Sequence, residues 1–68
     1  EDGLYFYRKI IRNSINYMKN NSYLLLEIGC GQGEAVTALL RNAGYEDIRV
    51  KKDLAGLDRV VISRYNGN

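Results

Sequence analysis

Residues 24–36, LLLEIGCGQGEAV, constrain the fold of this chain more than any other stretch. A nearly continuous apolar run over residues 23–28 stops at Gly29, Gly31 and Gly33. A helical period begins directly after it. The run does not alternate, which predicts a strand buried on both faces, as in parallel sheets. Strand, glycine turn and helix start form one unit, and the helix must be followed by a further strand. A right-handed crossover makes that strand parallel to the first.

The flanking segments fit this frame. From Leu4 the apolar residues Tyr7, Ile10, Ile11, Ile15 and Met18 fall on one helical face. Arg8, Lys9, Arg12, Asn13, Asn16 and Lys19 take the other. Asp2 is positioned to cap this helix, and Glu1 and Asp2 suit its positive end. Asn20, Asn21 and Ser22 end it, Asn being tolerant of the left-handed conformation common at helix exits. A second helix is predicted over residues 34–43, with Val36, Leu39, Leu40 and Ala43 inward and Gly44 just past its end.

Residues 45–53 alternate as a half-exposed edge strand. Ile48 and Val50 point one way, and Asp47, Arg49 and Lys51 the other. Residues 53–58 make a hairpin loop, and residues 59–65 a third strand with Val60, Val61 and Ile62 as its apolar centre. The tail 66–68 is polar. The hairpin sets strand three antiparallel to strand two, and its apolar run suits a central place. The expected fold is a three-stranded mixed α/β sheet in the order 1-3-2, with the last strand antiparallel.

Composition narrows the function classes. Sixty-eight residues make at most one small domain, and a chain this short buries only about 60% of its unfolded surface. A net charge of +2 spread along the chain gives no basic footprint for nucleic acid. A single Cys30 excludes an internal disulfide, and with no histidine present neither His acid–base chemistry nor a zinc site is expected. These features fit a cytoplasmic setting. No apolar run is long enough to span a bilayer. The chain opens on Glu1, which reads as a piece of something longer.

The glycine turn supports two readings. A glycine-rich turn opening a helix presents free N–H groups to an anion or nucleotide-like ligand. The Gly-x-Gly-x-Gly spacing of Gly29, Gly31 and Gly33, preceded by Glu27, resembles the cofactor loop of S-adenosylmethionine-dependent methyltransferases. It lacks the residue that the dinucleotide form inserts before its third glycine. Glu46, Asp47 or Asp53 stands where an acidic ribose ligand is expected. Against this, Asp53 opens a hairpin rather than ending a parallel strand. A cofactor crevice also needs more parallel strands beside the first. In the structural alternative the glycines shape a tight turn, and Gln32 and Glu34 serve the helix start. The pattern alone leaves both open.

A wider resemblance covers nearly the whole chain, in order. Glu1-Asp2-Gly3-Leu4, Phe6-Tyr7-Arg8 and Ile10-Ile11 are similar to the stretch after the active-site strand of the HemK/PrmC family of release-factor glutamine methyltransferases. Leu25-Leu26-Glu27-Ile28-Gly29 and Gln32-Gly33-Glu34-Ala35-Val36 resemble that family's next strand and helix. Asp53-Leu54-Ala55-Gly56 and Asp58-Arg59-Val60-Val61 resemble its closing hairpin. The resemblance implies the C-terminal portion of a Rossmann-like sheet with an antiparallel strand inserted between two parallel ones. It implies a parent enzyme that transfers methyl from S-adenosylmethionine to the glutamine amide of a Gly-Gly-Gln motif in peptide-chain release factors. The family's cofactor loop and Asn-Pro-Pro-Tyr motif lie upstream, and this chain has no proline. The resemblance therefore assigns no catalytic, cofactor-binding or metal residue here, and the piece alone is expected to be inactive. Cys30-Gly31 departs from the family, which usually has a less glycine-like pair.

Individual residues have plain alternatives to a chemical role. The Glu27 carboxylate is expected to bond backbone or a neighbour at the strand end. Cys30, without a histidine base, is expected to be a small turn residue. The tyrosines at 5, 7, 17, 23, 45 and 65 are expected in core and rim packing. Asp58 and Arg59 are either a contact for the release factor or a hairpin-end charge pair. Two other functions stay in view: a minimal cofactor-binding module built on residues 29–33, and a non-enzymatic module that self-associates through an unpaired edge of strand one.

Overall fold

The computed structural model describes residues 3–29 and 31–67. The expected capping by Glu1 and Asp2, the reading of Cys30 and the last tail residue lie outside the described residues. The elements run α1 (Tyr5–Ser14), β1 (Tyr23–Glu27), α2 (Gly33–Asn42), β2 (Tyr45–Lys52) and β3 (Asp58–Tyr65).

Helix α1 is shorter than its apolar period. It follows Leu4, which gives no side-chain cap, and stops at Ser14. The Ser14 hydroxyl donates to the Ile11 carbonyl at 2.8 Å and lies 2.5 Å from the Tyr45 hydroxyl. A serine that bonds back to its own helix competes with the next helical hydrogen bond. Tight turns then carry the chain on, with Tyr17 N–H reaching the Ser14 carbonyl at 2.9 Å. Ile15 and Met18 still pack on the core, whereas Ile10 is exposed. Asn21 takes a left-handed φ of 68° before β1, as its residue type allows.

The three strands form one sheet in the order β1-β3-β2. Both ladders are antiparallel, so β1 and β2 run the same way on either side of β3. This is the strand order expected from the sequence. The Ile28 N–H donates to the Arg59 carbonyl at 2.8 Å, and the Tyr65 N–H to the Ser22 carbonyl at 2.7 Å. Alternate residues of an antiparallel pair exchange hydrogen bonds. Leu24, Leu26 and Ile28 therefore bond to β3, while Tyr23, Leu25 and Glu27 turn their backbone groups to the free side.

One face of the sheet is covered and the other is bare. Helix α2 packs on β2 and β3, and α1 packs on α2. Val36, Leu40 and Val61 are fully buried, and Ile11, Leu26, Ile28 and Tyr45 complete the core. Each such aliphatic side chain contributes about 1.5–3 kcal/mol by leaving water. On the other face Tyr23 is 58% and Leu25 60% exposed. The expectation that β1 is buried on both faces is thus not met within this chain. Likewise only Val61 of the β3 apolar run is fully buried, because Val60 and Ile62 point to the bare face. The molecule is 15 Å across its thinnest direction, as a sheet with a single helical layer should be.

Strand β2 holds one extra residue. Glu46 pairs with Arg64 but Arg49 with Ile62, so Asp47 and Ile48 together face Ser63. Asp47 sits at φ 51°. This bulge shifts the alternation by one, so that Tyr45 shares the inner face with Ile48 and Val50.

Candidate functional site

The carboxyl end of β1 is where an open α/β sheet places its ligands. It leads into the glycine turn and then α2. The turn closes by a hydrogen bond from Gln32 N–H to the Gly29 carbonyl at 3.1 Å. Gly31, third of its four residues, has φ 84°, a conformation that glycine adopts without steric cost.

Gln32 does not cap the helix with its side chain. It folds back into the turn instead. Its Oε1 accepts the Gly29 N–H at 2.8 Å. The same oxygen lies 3.1 Å from the Tyr7 hydroxyl, which is also 3.0 Å from the Glu27 carbonyl. One phenolic proton serves those two acceptors. The Glu27 contribution is thus its main-chain carbonyl, not the carboxylate that sequence reading put at the strand end. Gly33 begins α2 under a close neighbour, since a Cβ there would stand 2.6 Å from Asp58 Oδ2.

The acidic residues that sequence reading offered as ribose ligands are engaged elsewhere. Asp53 organises the hairpin. Its Oδ1 accepts Ala55 N–H at 2.9 Å and Leu57 N–H at 3.0 Å, and its Oδ2 accepts Arg59 Nε at 2.7 Å. The Arg59 bond first, and the backbone donors with it, hold the Asp53 carboxyl below its ordinary range. Glu46 and Asp47 both receive Arg64, at 3.1 and 2.7 Å. Asp58 and Arg59 reach across the hairpin to separate partners, Asp58 to Lys52 at 2.6 Å and Arg59 to Asp53. Of the tyrosines, Tyr45 is buried with its ring 5.4 Å from that of Tyr65, but Tyr5, Tyr17 and Tyr23 are exposed. Among the described residues no group of three or more His, Cys, Asp or Glu could hold a metal ion. Among the same residues no helix is long and apolar enough to cross a membrane.

The site thus joins the glycine turn, which sequence reading identified, to Tyr7, which it took for packing. Tyr7 lies half-buried on the inward face of α1, and nothing in a helical period distinguishes a packed ring from one whose hydroxyl is also hydrogen-bonded. The only signal was the company it keeps in the family-like stretch Phe6-Tyr7-Arg8.

Two helices lie on one face of a sheet whose last strand inserts antiparallel between two co-directional ones, the arrangement that the methyltransferase resemblance implies. No family model matches the chain. Relatives do. It is 52% identical over 62 residues to a release factor glutamine methyltransferase of Thermodesulfovibrio yellowstonii, covering 91% of this chain and 22% of that protein. It is 39% identical over 67 residues to the Clostridium acetobutylicum protein of the same name, covering 98% and 24%. A solved structure, the release factor-specific protein-(glutamine-N5) methyltransferase of Alicyclobacillus acidocaldarius, superposes with a TM-score of 0.74 at 32% identity, covering 96% of this chain and 42% of that one. The chain belongs to the release factor glutamine methyltransferase family, and it spans about a quarter or less of the length of the curated relatives it matches.

Proposed function

We propose that this chain is a C-terminal structural segment, not a complete domain, of the catalytic domain of an S-adenosylmethionine-dependent protein methyltransferase. The whole protein methylates the glutamine side-chain amide of the Gly-Gly-Gln motif in peptide-chain release factors, in the cytoplasm. The segment supplies sheet and helices that support the chemistry. It carries no catalytic, cofactor-binding or metal residue and is inactive alone. One observation supports this reading above the others. The Gly29 N–H, a donor that a cofactor at the glycine turn would need, is held by Gln32 Oε1 at 2.8 Å. Calorimetry of the isolated chain with S-adenosylmethionine is expected to show no saturable binding. Micromolar binding that is lost on Gly31→Val would instead establish the cofactor-module reading.

A second property follows from the bare face. Tyr23 and Leu25 are exposed beside a strand edge that no strand among the described residues covers. Such an edge recruits further strands. In the whole protein it is met by upstream sheet, and in the isolated chain by a second copy. Sedimentation is expected to show self-association that rises with concentration. A strict monomer at high concentration removes this part of the reading.

A further inference from the structure

We propose that Tyr7 and Gln32 are positioning residues for methyl transfer, forming a clasp that fixes the start of α1 against the carboxyl end of β1. The inference rests on the function proposed above.

Three separate pieces of chain meet at the clasp. Tyr7 comes from the first turn and a half of α1, Glu27 and Gly29 from the end of β1, and Gln32 from the start of α2. Gln32 Oε1 takes the Gly29 N–H and the Tyr7 O–H together. The far side of the same amide faces Gly3, where a Cβ would stand 3.5 Å from Nε2. The lead-in to α1 is therefore seated on Gln32. The Ile28 N–H is bonded to Arg59 of β3 at 2.8 Å, so the clasp is anchored to the middle strand of the sheet.

The position of the clasp gives it a consequence beyond stability. The Glu27 carbonyl points to the free side of β1, and Tyr7 is the group that meets it there. That side faces whatever strand joins β1, at the end of the sheet where ligands of such folds sit. Fixing this corner sets how far the start of α1 stands from the reacting groups. Displacements of about 1 Å at a distance from the chemistry can cost two orders of magnitude in rate. Neither side chain needs to touch substrate. The working atom of Gln32 is an acceptor, so a carboxylate should replace it and a thioether should not.

The test is steady-state methylation of a release factor by the full-length protein containing this chain, with S-adenosylmethionine varied, in wild type, Tyr7→Phe, Gln32→Met and Gln32→Glu. The expected result is a fall in kcat of about ten-fold for Tyr7→Phe and Gln32→Met. KM for the methyl donor should stay within about two-fold, and Gln32→Glu should keep near-wild-type kcat. Melting temperatures measured in parallel ensure that each assay is run on folded protein. Equal kcat in wild type, Tyr7→Phe and Gln32→Met overturns the clasp alone. So does a Gln32→Glu variant as slow as Gln32→Met, or an effect confined to KM for the donor. A wild-type protein that does not methylate release factor removes the proposed function, and this inference with it.

Discussion

Gly33 and Asp58 occupy space that only one of them can widen into. A Cβ on Gly33 would lie 2.6 Å from Asp58 Oδ2, and the other oxygen of that carboxylate is held by Lys52 Nζ at 2.6 Å. A carboxylate tethered in this way cannot swing aside freely. Gly33→Ala gains helix propensity of up to about 1 kcal/mol but forces the contact apart, and a net destabilisation of about 1 kcal/mol is expected. Adding Asp58→Ala should recover most of it. Urea denaturation of the two single variants and the double variant reads this as a coupling of about 1 kcal/mol. Additive effects would mean that Asp58 yields without cost.

Two leucines should behave oppositely. Leu40 is fully buried between α2 and the sheet, while Leu54 stands fully exposed at the hairpin tip. Leu40→Ala is expected to cost about 2–5 kcal/mol, enough to unfold a chain of this size. Leu54→Ala should stay within about 0.5 kcal/mol. Circular dichroism melting of both variants distinguishes them, and a stable Leu40→Ala chain would contradict the core described above.

The hairpin should loosen in acid. The Asp53 carboxyl lies below its ordinary range because of Arg59, Leu57 and Ala55. A depressed folded-state pKa means that this contribution is full above the carboxyl's unfolded pKa and disappears as pH falls through the folded one. The amide resonances of Ala55 and Leu57 should therefore hold their positions at neutral pH and move together below the ordinary carboxylate range. Asp53→Asn should remove that acid-induced transition.

Association of the isolated chain should depend on β1 and not on β2. Leu25→Lys places a charge on the bare face beside the free edge and is expected to shift sedimentation to monomer. Arg49→Ser, on the opposite edge strand, should leave the association unchanged. Equal effects from both would point to non-specific stickiness.

Much of the fold was legible in residue order. The glycine break after Ile28, the period of α2 and the turn-forming Asp53 to Gly56 define the elements, and right-handed crossover followed by hairpin gives the strand order. What escaped has specific physical causes. The apolar run of β1 reads as doubly buried, yet both helices lie on one face of the sheet and Tyr23 and Leu25 stand exposed on the other. Ser14 ends α1 early by bonding back to the Ile11 carbonyl, with the Tyr45 hydroxyl, from a residue distant in sequence, beside it. The bulge at Asp47 is hidden because Asp47, Arg49 and Lys51 alternate with Ile48 and Val50 as in an unbroken strand. At the candidate site the glycines were visible, but the plug that fills them was not. A glutamine after a glycine turn reads as a helix start, and only the structure shows its oxygen turned back to the Gly29 amide.

The kink at Asp47 leaves the sheet with two unlike borders. On the β2 side the extra residue bends the rim, and Arg49, Lys51 and Lys52 line it with like charge. On the β1 side the rim is straight, apolar and uncharged up to Glu27. On the function proposed above, growth of the sheet is one-directional: a further strand is expected beside Leu25 and not beside Arg49.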